Sequence, residues 1–169
     1  MAEALIQTLQ HYFSPSVVVF LISLLPLLEL RGGMIAARLL GLPWAKAIII
    51  SIIGNILPIP FIILFIEKIL RWMRDHGPFK GVARWIDNKG AAQGAKMQAK
   101  YPKQMQLGLF LFVAIPLPGT GAWTGALIAS FLGLPPKKSA PYIGLGVLGA
   151  GIVMSIITYV IPAIVWYLK

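Results

Sequence analysis

Apolar residues run along the chain in blocks of two lengths. Residues 17–28 and 107–118 are apolar for about twelve positions each, and each block is followed by a break and a second short arm, 34–42 and 122–134. Residues 47–66 and 142–161 are about twenty positions long. A helix that crosses a bilayer needs roughly 20 apolar residues, so only the two long blocks read as full crossings. The breaks are Glu29-Leu30-Arg31-Gly32-Gly33 in the first pair of arms and Pro118-Gly119-Thr120-Gly121 in the second. Each pair of arms reads as a re-entrant helical hairpin whose tip is the break.

The same order occurs twice: short arm, break, short arm, Gly-Leu-Pro, long span. With a shift of 92, Gly33 falls on Gly125, Leu40-Gly41-Leu42-Pro43 on Leu132-Gly133-Leu134-Pro135, Lys46 on Lys138 and Gly54 on Gly146. Upstream, Pro26 matches Pro116 at a shift of 90, so two residues are inserted near the break. Paired broken segments in corresponding places of two half-chains point to a transporter. The expected organisation is a single membrane domain: 1–15 an interfacial helix, 16–66 the first repeat, 67–106 a basic connector, 107–169 the second repeat. In the first of these, Leu5, Ile6, Leu9 and Phe13 recur at helical spacing. Ser14 then caps a helix with Pro15 at its first position.

Residues 67–103 are polar and carry nine of the fifteen Lys and Arg residues. Val82, Trp85, Ile86 and Met97 suggest short amphipathic helices, punctuated by His76-Gly77-Pro78 and Tyr101-Pro102. This charge sets the orientation. Basic segments flanking membrane helices stay cytoplasmic, so the connector is expected inside and suits anionic lipid rather than nucleic acid. One hairpin plus one crossing per half then makes the repeats antiparallel. The tips meet near the midplane from opposite sides, with both termini outside. The competing topology has four ordinary crossings, with both termini inside and Lys137-Lys138 outside.

Composition agrees with a multi-pass protein of the cytoplasmic membrane. Charged residues make up 12% of the chain and hydrophobic ones 58%, against roughly 25% charged in soluble domains. Mean hydropathy is +0.82. Glu3 stands where a signal peptide would be basic, and no small-residue cleavage motif follows residues 17–28, so no cleavable signal is expected. The chain has no cysteine, and two histidines cannot by themselves build a metal centre. No metal, cofactor or enzymatic constellation is expected.

The candidate chemistry lies at the breaks. Ionisable groups at membrane depth are costly and usually functional. Glu29 reads either as a proton-coupling group or as the counter-ion of Arg31. Arg38 follows Arg31 by seven positions, on the same face of a helix, and either lines the site or snorkels to the surface. Gly119, Thr120, Gly121 and Thr124 at a helix start offer backbone N–H groups and hydroxyls, an anion cradle. Arg31 opposite them would suit a phosphate. Asn55, beside Gly54 and before two prolines, either contacts substrate or bonds a freed carbonyl.

At Pro26-Leu27-Leu28-Glu29-Leu30-Arg31-Gly32 and at Pro116-Leu117-Pro118-Gly119-Thr120-Gly121-Ala122-Trp123-Thr124-Gly125, the chain resembles the prokaryotic small multidrug export proteins, over roughly residues 17–159. That family looks like a distant branch of the DedA membrane proteins. The resemblance implies paired inverted hairpins bearing acidic and arginine residues, and transport of polyprenyl-phosphate lipid carriers with ion coupling. It places Glu29 and Arg31 in the first hairpin and Pro118-Gly119 in the second, which carries no arginine here. The expected function is translocation of an anionic lipid headgroup by a homodimer. The alternatives are a proton-coupled exporter of small cationic drugs and a non-transporting membrane scaffold.

Overall fold

The structure, a computed structural model, describes residues 12–75, 80–100, 104–117 and 119–168. Most of the helix expected over 1–15 and the punctuating segments 76–78 and 101–102 lie outside the described residues, as does Pro118. All regular structure among the described residues is helical.

Helix α1, Pro15–Leu24, starts as expected with Ser14 as extended N-cap residue and Pro15 in its first turn, although the Ser14 hydroxyl makes no capping bond. It ends where Pro26 drives Leu25 into an extended conformation (φ −73°, ψ 136°). Helix α2, Glu29–Leu39, follows. The first break is therefore residues 25–28 rather than 29–33. Gly32 and Gly33, read from sequence as breakers, are helical, and Gly33 is there for close packing. Glu29 itself has φ 50°, the one non-glycine in the left-handed region among the described residues.

The first long span is α3, Trp44–Ile56, and α4, Ile59–Asp75, joined by a turn at Leu57-Pro58. Its apolar part, Trp44–Ile66, starts three residues earlier than expected, and the helix continues into the basic connector. Beyond Asp75 the main part of that connector is a single helix, α5, Lys80–Lys100, instead of several short ones. Helices α6, Met105–Ala114, and α7, Ala122–Phe131, flank the second break. The second span runs Pro136–Tyr167: α8, Pro136–Ser155, a π-helical segment Ile156–Val160, and α9, Ile161–Tyr167. Lys137 and Lys138 thus lie in its first turn.

Local geometry recurs between the halves. At the end of α2, Gly41 (φ 70°) donates to Arg38 O and Leu42 N to Ala37 O; at the end of α7, Gly133 (φ 63°) donates to Ser130 O and Leu134 N to Ala129 O. Both are glycine-terminated caps that satisfy the last carbonyls. The tight contacts recur too. A Cβ on Gly54 would lie 2.8 Å from Phe20 O and one on Gly146 2.9 Å from Phe110 O. Gly33 is closed in by Ser23 and Ser51, and Gly125 by Val113 and Ile143, the residues at the corresponding positions.

Helix α1 packs on α2 and α3, and α6 packs most heavily on α8. Helices α3 and α8 touch, α7 lies against α4, and α5 covers part of α7. Only about a third of each long span is buried inside the protein. Phe61, Leu64, Ile152, Ile157 and Ile164 are among the many large apolar side chains left outside. Contiguous apolar surface on this scale suits lipid, not water.

Candidate functional site

The two breaks, ninety residues apart in sequence, clasp each other. The pyrrolidine of Pro26 ends α1, and the chain turns through residues 25–28 so that α2 begins at Glu29 with its side chain buried. The carboxylate faces the start of α7, where Trp123 N donates to Glu29 Oε1 at 3.1 Å. The first N–H groups of a helix lack intrahelical partners and carry partial positive charge. A carboxylate there is stabilised by up to about 2 kcal/mol in partly buried geometry.

Gly121 is what lets the carboxylate in. Its φ of 136° with ψ −178° is a conformation open only to glycine. A Cβ there would overlap Glu29 Oε2. Trp123 adds a return bond, its indole N–H donating to Leu24 O at 3.2 Å and so satisfying a carbonyl at the end of α1.

Arg31 works on the same break from the other side. Its guanidinium donates to Leu117 O, to Thr120 O at 2.7 Å and to Thr120 Oγ1 at 2.8 Å. Thr120 Oγ1 also accepts from Leu117 N at 3.1 Å, and its single proton goes to Ile115 O or Leu117 O, both at 2.8 Å. An arginine fork is well shaped for such converging acceptors. Each bond to a charged group is worth about 1.5–3 kcal/mol. Glu29 and Arg31 thus divide the second break by polarity: the carboxylate takes the donors of α7, the guanidinium takes the carbonyls before it.

The other sequence candidates are dispersed. Gly119 (φ 82°) is exposed at the apex of the second break. Thr124, half-buried, faces a cavity of about 340 Å³ beside the clasp. Arg38 is exposed and lies over the Tyr159 ring, 5.5 Å from its centroid, away from Arg31. Asn55 is buried on α3, and its Oδ1 has no hydrogen-bond partner.

Sequence reading missed Lys89 and Trp85 as part of the site. The cavity is lined by Pro26, Trp123, Thr124 and Leu127 on one side and by Trp85 and Lys89 of α5 on the other. The Lys89 ammonium sits 4.8 Å from the Trp85 ring centroid. In sequence Lys89 is one of nine connector cations, and only the docking of α5 on α7 singles it out. Apart from Lys89 and Thr124, the wall among the described residues is mainly apolar.

No curated protein and no solved structure matches the chain. A family described as "Putative small multi-drug export protein" matches residues 29–153, from Glu29 at the clasp through most of the second span. The match covers well over half of the 169 residues, and this all-helical, lipid-facing chain belongs to that export family.

Proposed function

We propose that the chain is a transporter of amphipathic anions, most simply those with a phosphate headgroup on a hydrocarbon chain, and that it couples their movement to protons through Glu29. The observation that carries this reading is the Glu29 carboxylate at the start of α7. That helix start is a ready anion site, and an internal carboxylate fills it. A substrate anion and the Glu29 carboxylate compete for the same donors. Protonation removes the charge of Glu29 and weakens its hold, so proton arrival and anion binding favour the same state. The cavity beside the clasp, apolar with Lys89 at its edge, suits the hydrocarbon and the charge of such a substrate.

The recurring caps and glycine contacts support two antiparallel repeats, each a re-entrant hairpin plus one crossing, with the clasp near the bilayer midplane. In that arrangement backbone freed at the breaks is covered by protein, as it must be at membrane depth. A homodimer would cover the remaining hairpin faces. The protein would then be a multi-pass protein of the cytoplasmic membrane with α5 on the inner face.

The test is uptake of a fluorescent isoprenoid or alkyl phosphate into proteoliposomes under an imposed pH gradient. Uptake that follows the gradient and stops when Arg31 or Gly121 is replaced supports the reading. Uptake of an amphipathic cation in its place, with no response to phosphates, would establish the cationic exporter instead.

A further inference from the structure

Behind the clasp lies a second polar cluster. Ser23, Ser51 and Asn55 are 0%, 0% and 2% exposed in the interface of α1, α2 and α3. Ser51 Oγ and Asn55 Oδ1 have no hydrogen-bond partner, and Ser23 Oγ donates to Val19 O at 2.8 Å, leaving its lone pairs free. Ser51 and Asn55 are one turn apart on one face of α3. Ser23 Oγ and Ser51 Oγ both press on the same point of α2, where a Cβ on Gly33 would collide with them. The two serine oxygens are therefore close enough for one small ion to touch, and the unpartnered Asn55 Oδ1 lies one turn further along α3.

The second half of the chain provides an internal control. The positions corresponding to Ser23, Ser51 and Asn55 are Val113, Ile143 and Val147, all buried. Val113 and Ile143 meet Gly125 as Ser23 and Ser51 meet Gly33, and Val113 meets Gly146 as Ser23 meets Gly54. Packing at this place is thus achieved with purely apolar side chains. Three buried polar groups in its counterpart are unnecessary for the fold, and an unsatisfied one costs about 1–3 kcal/mol. A trapped water would only offset a cost that these side chains themselves create.

We infer that Ser23, Ser51 and Asn55 bind a monovalent cation, Na+ by the close approach of the two serine oxygens. The donors are neutral, whereas Ca2+ and Mg2+ sites recruit carboxylates, and the filter that holds K+ is built from rings of backbone carbonyls. Glu29 precedes Gly33 by one helical turn on α2, so the ion would sit one turn behind its carboxylate. A cation there and a proton on Glu29 compensate the same negative charge and would compete. As a coupling ion Na+ rests on the transporter reading above; as a bound ion it does not.

The experiment is thermal unfolding of the detergent-solubilised protein at constant ionic strength in NaCl, KCl or choline chloride, with equilibrium binding of 22Na+. The expected result is a saturable rise in Tm in Na+ alone, and 22Na+ binding weakened at least tenfold in Ser51→Ala and in Asn55→Val. Asn55→Val borrows the side chain of the second half, and Ser51→Ala removes one oxygen at little cost in shape. Equal stabilisation in all three salts, or Na+ binding unchanged in Ser51→Ala, overturns the inference and assigns the cluster to water. Neither readout uses a transported substrate, so it fails separately from the anion-transport proposal.

Discussion

Glu29 and Gly121 share one space: the Glu29 carboxylate lies where a side chain on Gly121 would begin. A methyl group at 121 must therefore expel the carboxylate from the start of α7, in addition to straining a backbone at φ 136°. Gly121→Ala is expected to abolish transport and to lower stability by about 1–3 kcal/mol. Gly133→Ala supplies the control. It has φ 63° with open space around it, so it carries strain of about 1–2 kcal/mol without touching the clasp. Tm and proteoliposome uptake measured on both variants separate the effects. Equal transport loss in the two would mean that strain alone accounts for Gly121.

Arg31 and Arg38 should behave differently. Arg31→Ala removes the guanidinium from Thr120 O, at about 1–3 kcal/mol for a group kept from water, whereas Leu117 O keeps the Thr120 N–H. Arg31→Lys keeps the charge but not the fork and is expected to restore part of the stability and little transport. Arg38 contributes a cation–π contact to Tyr159 at an exposed site, worth about 0.5–1 kcal/mol. Arg38→Ala should leave uptake within about twofold of the starting protein, a difference under 0.5 kcal/mol. Uptake kinetics on the three variants test this ordering.

The order of short arms and spans was legible in the sequence because bilayer thickness and helix rise set those lengths. The exact break was not. Gly32-Gly33 reads as a turn, yet it is helical because Ser23 and Ser51 press against Gly33 from α1 and α3; Pro26, three residues before Glu29, is the true terminator. The clasp was half legible. Glu29, Arg31, Thr120 and Gly121 were identified as candidates by charge and glycine content, with Arg31 and the glycine amides expected to share one anion. Arg31 instead bonds carbonyls, and Glu29 holds the amide of Trp123. These partners are nearly a hundred residues apart, and no local spacing encodes them. Periodicity placed Arg31 and Arg38 on one face, but Tyr159 of the last span takes Arg38.

Glu29→Gln retains a carbonyl oxygen that can accept from Trp123 N but carries no charge and takes up no proton. The proposed coupling then disappears while the clasp persists in weaker form. Tm should fall by only a few degrees. Uptake down a substrate gradient should continue, and the response to an imposed pH gradient should vanish. A pH response retained in Glu29→Gln would move the proton site elsewhere.

The cavity beside the clasp predicts a division of labour between Lys89 and Trp85. Lys89→Gln removes a cationic head from the wall and should weaken an alkyl phosphate about tenfold, equivalent to about 1.4 kcal/mol. It should leave a neutral amphiphile of the same chain length unchanged. Trp85→Ala takes away apolar wall and should weaken both. Fluorescence titration with the two ligands distinguishes these patterns from a cavity that binds neither.

Topology is the prediction on which the rest depends, and the absence of cysteine makes it accessible to single-cysteine labelling. Positions Lys46, Gly81, Lys137 and Tyr167 suffice. Paired re-entrant hairpins and four ordinary crossings both place Lys46 outside and Gly81 inside, so those two sites calibrate the reagent. The arrangements differ beyond the second break. Hairpins return the chain to the cytoplasmic side before Pro136, putting Lys137 inside and Tyr167 outside. Four crossings reverse both. The hairpin result is expected because α6 and α7 have ten residues each, about 15 Å of helix against a hydrocarbon core of about 30 Å. Placed end to end as one crossing, they would carry the open backbone of residues 115–121 through the bilayer centre. There its carbonyls would have no water and would rest on Arg31, Thr120 and a few local N–H groups such as that of Leu117. Labelling of Lys137 from outside would show that the membrane accepts that arrangement, and the clasp would then be a mid-membrane kink within one helical crossing.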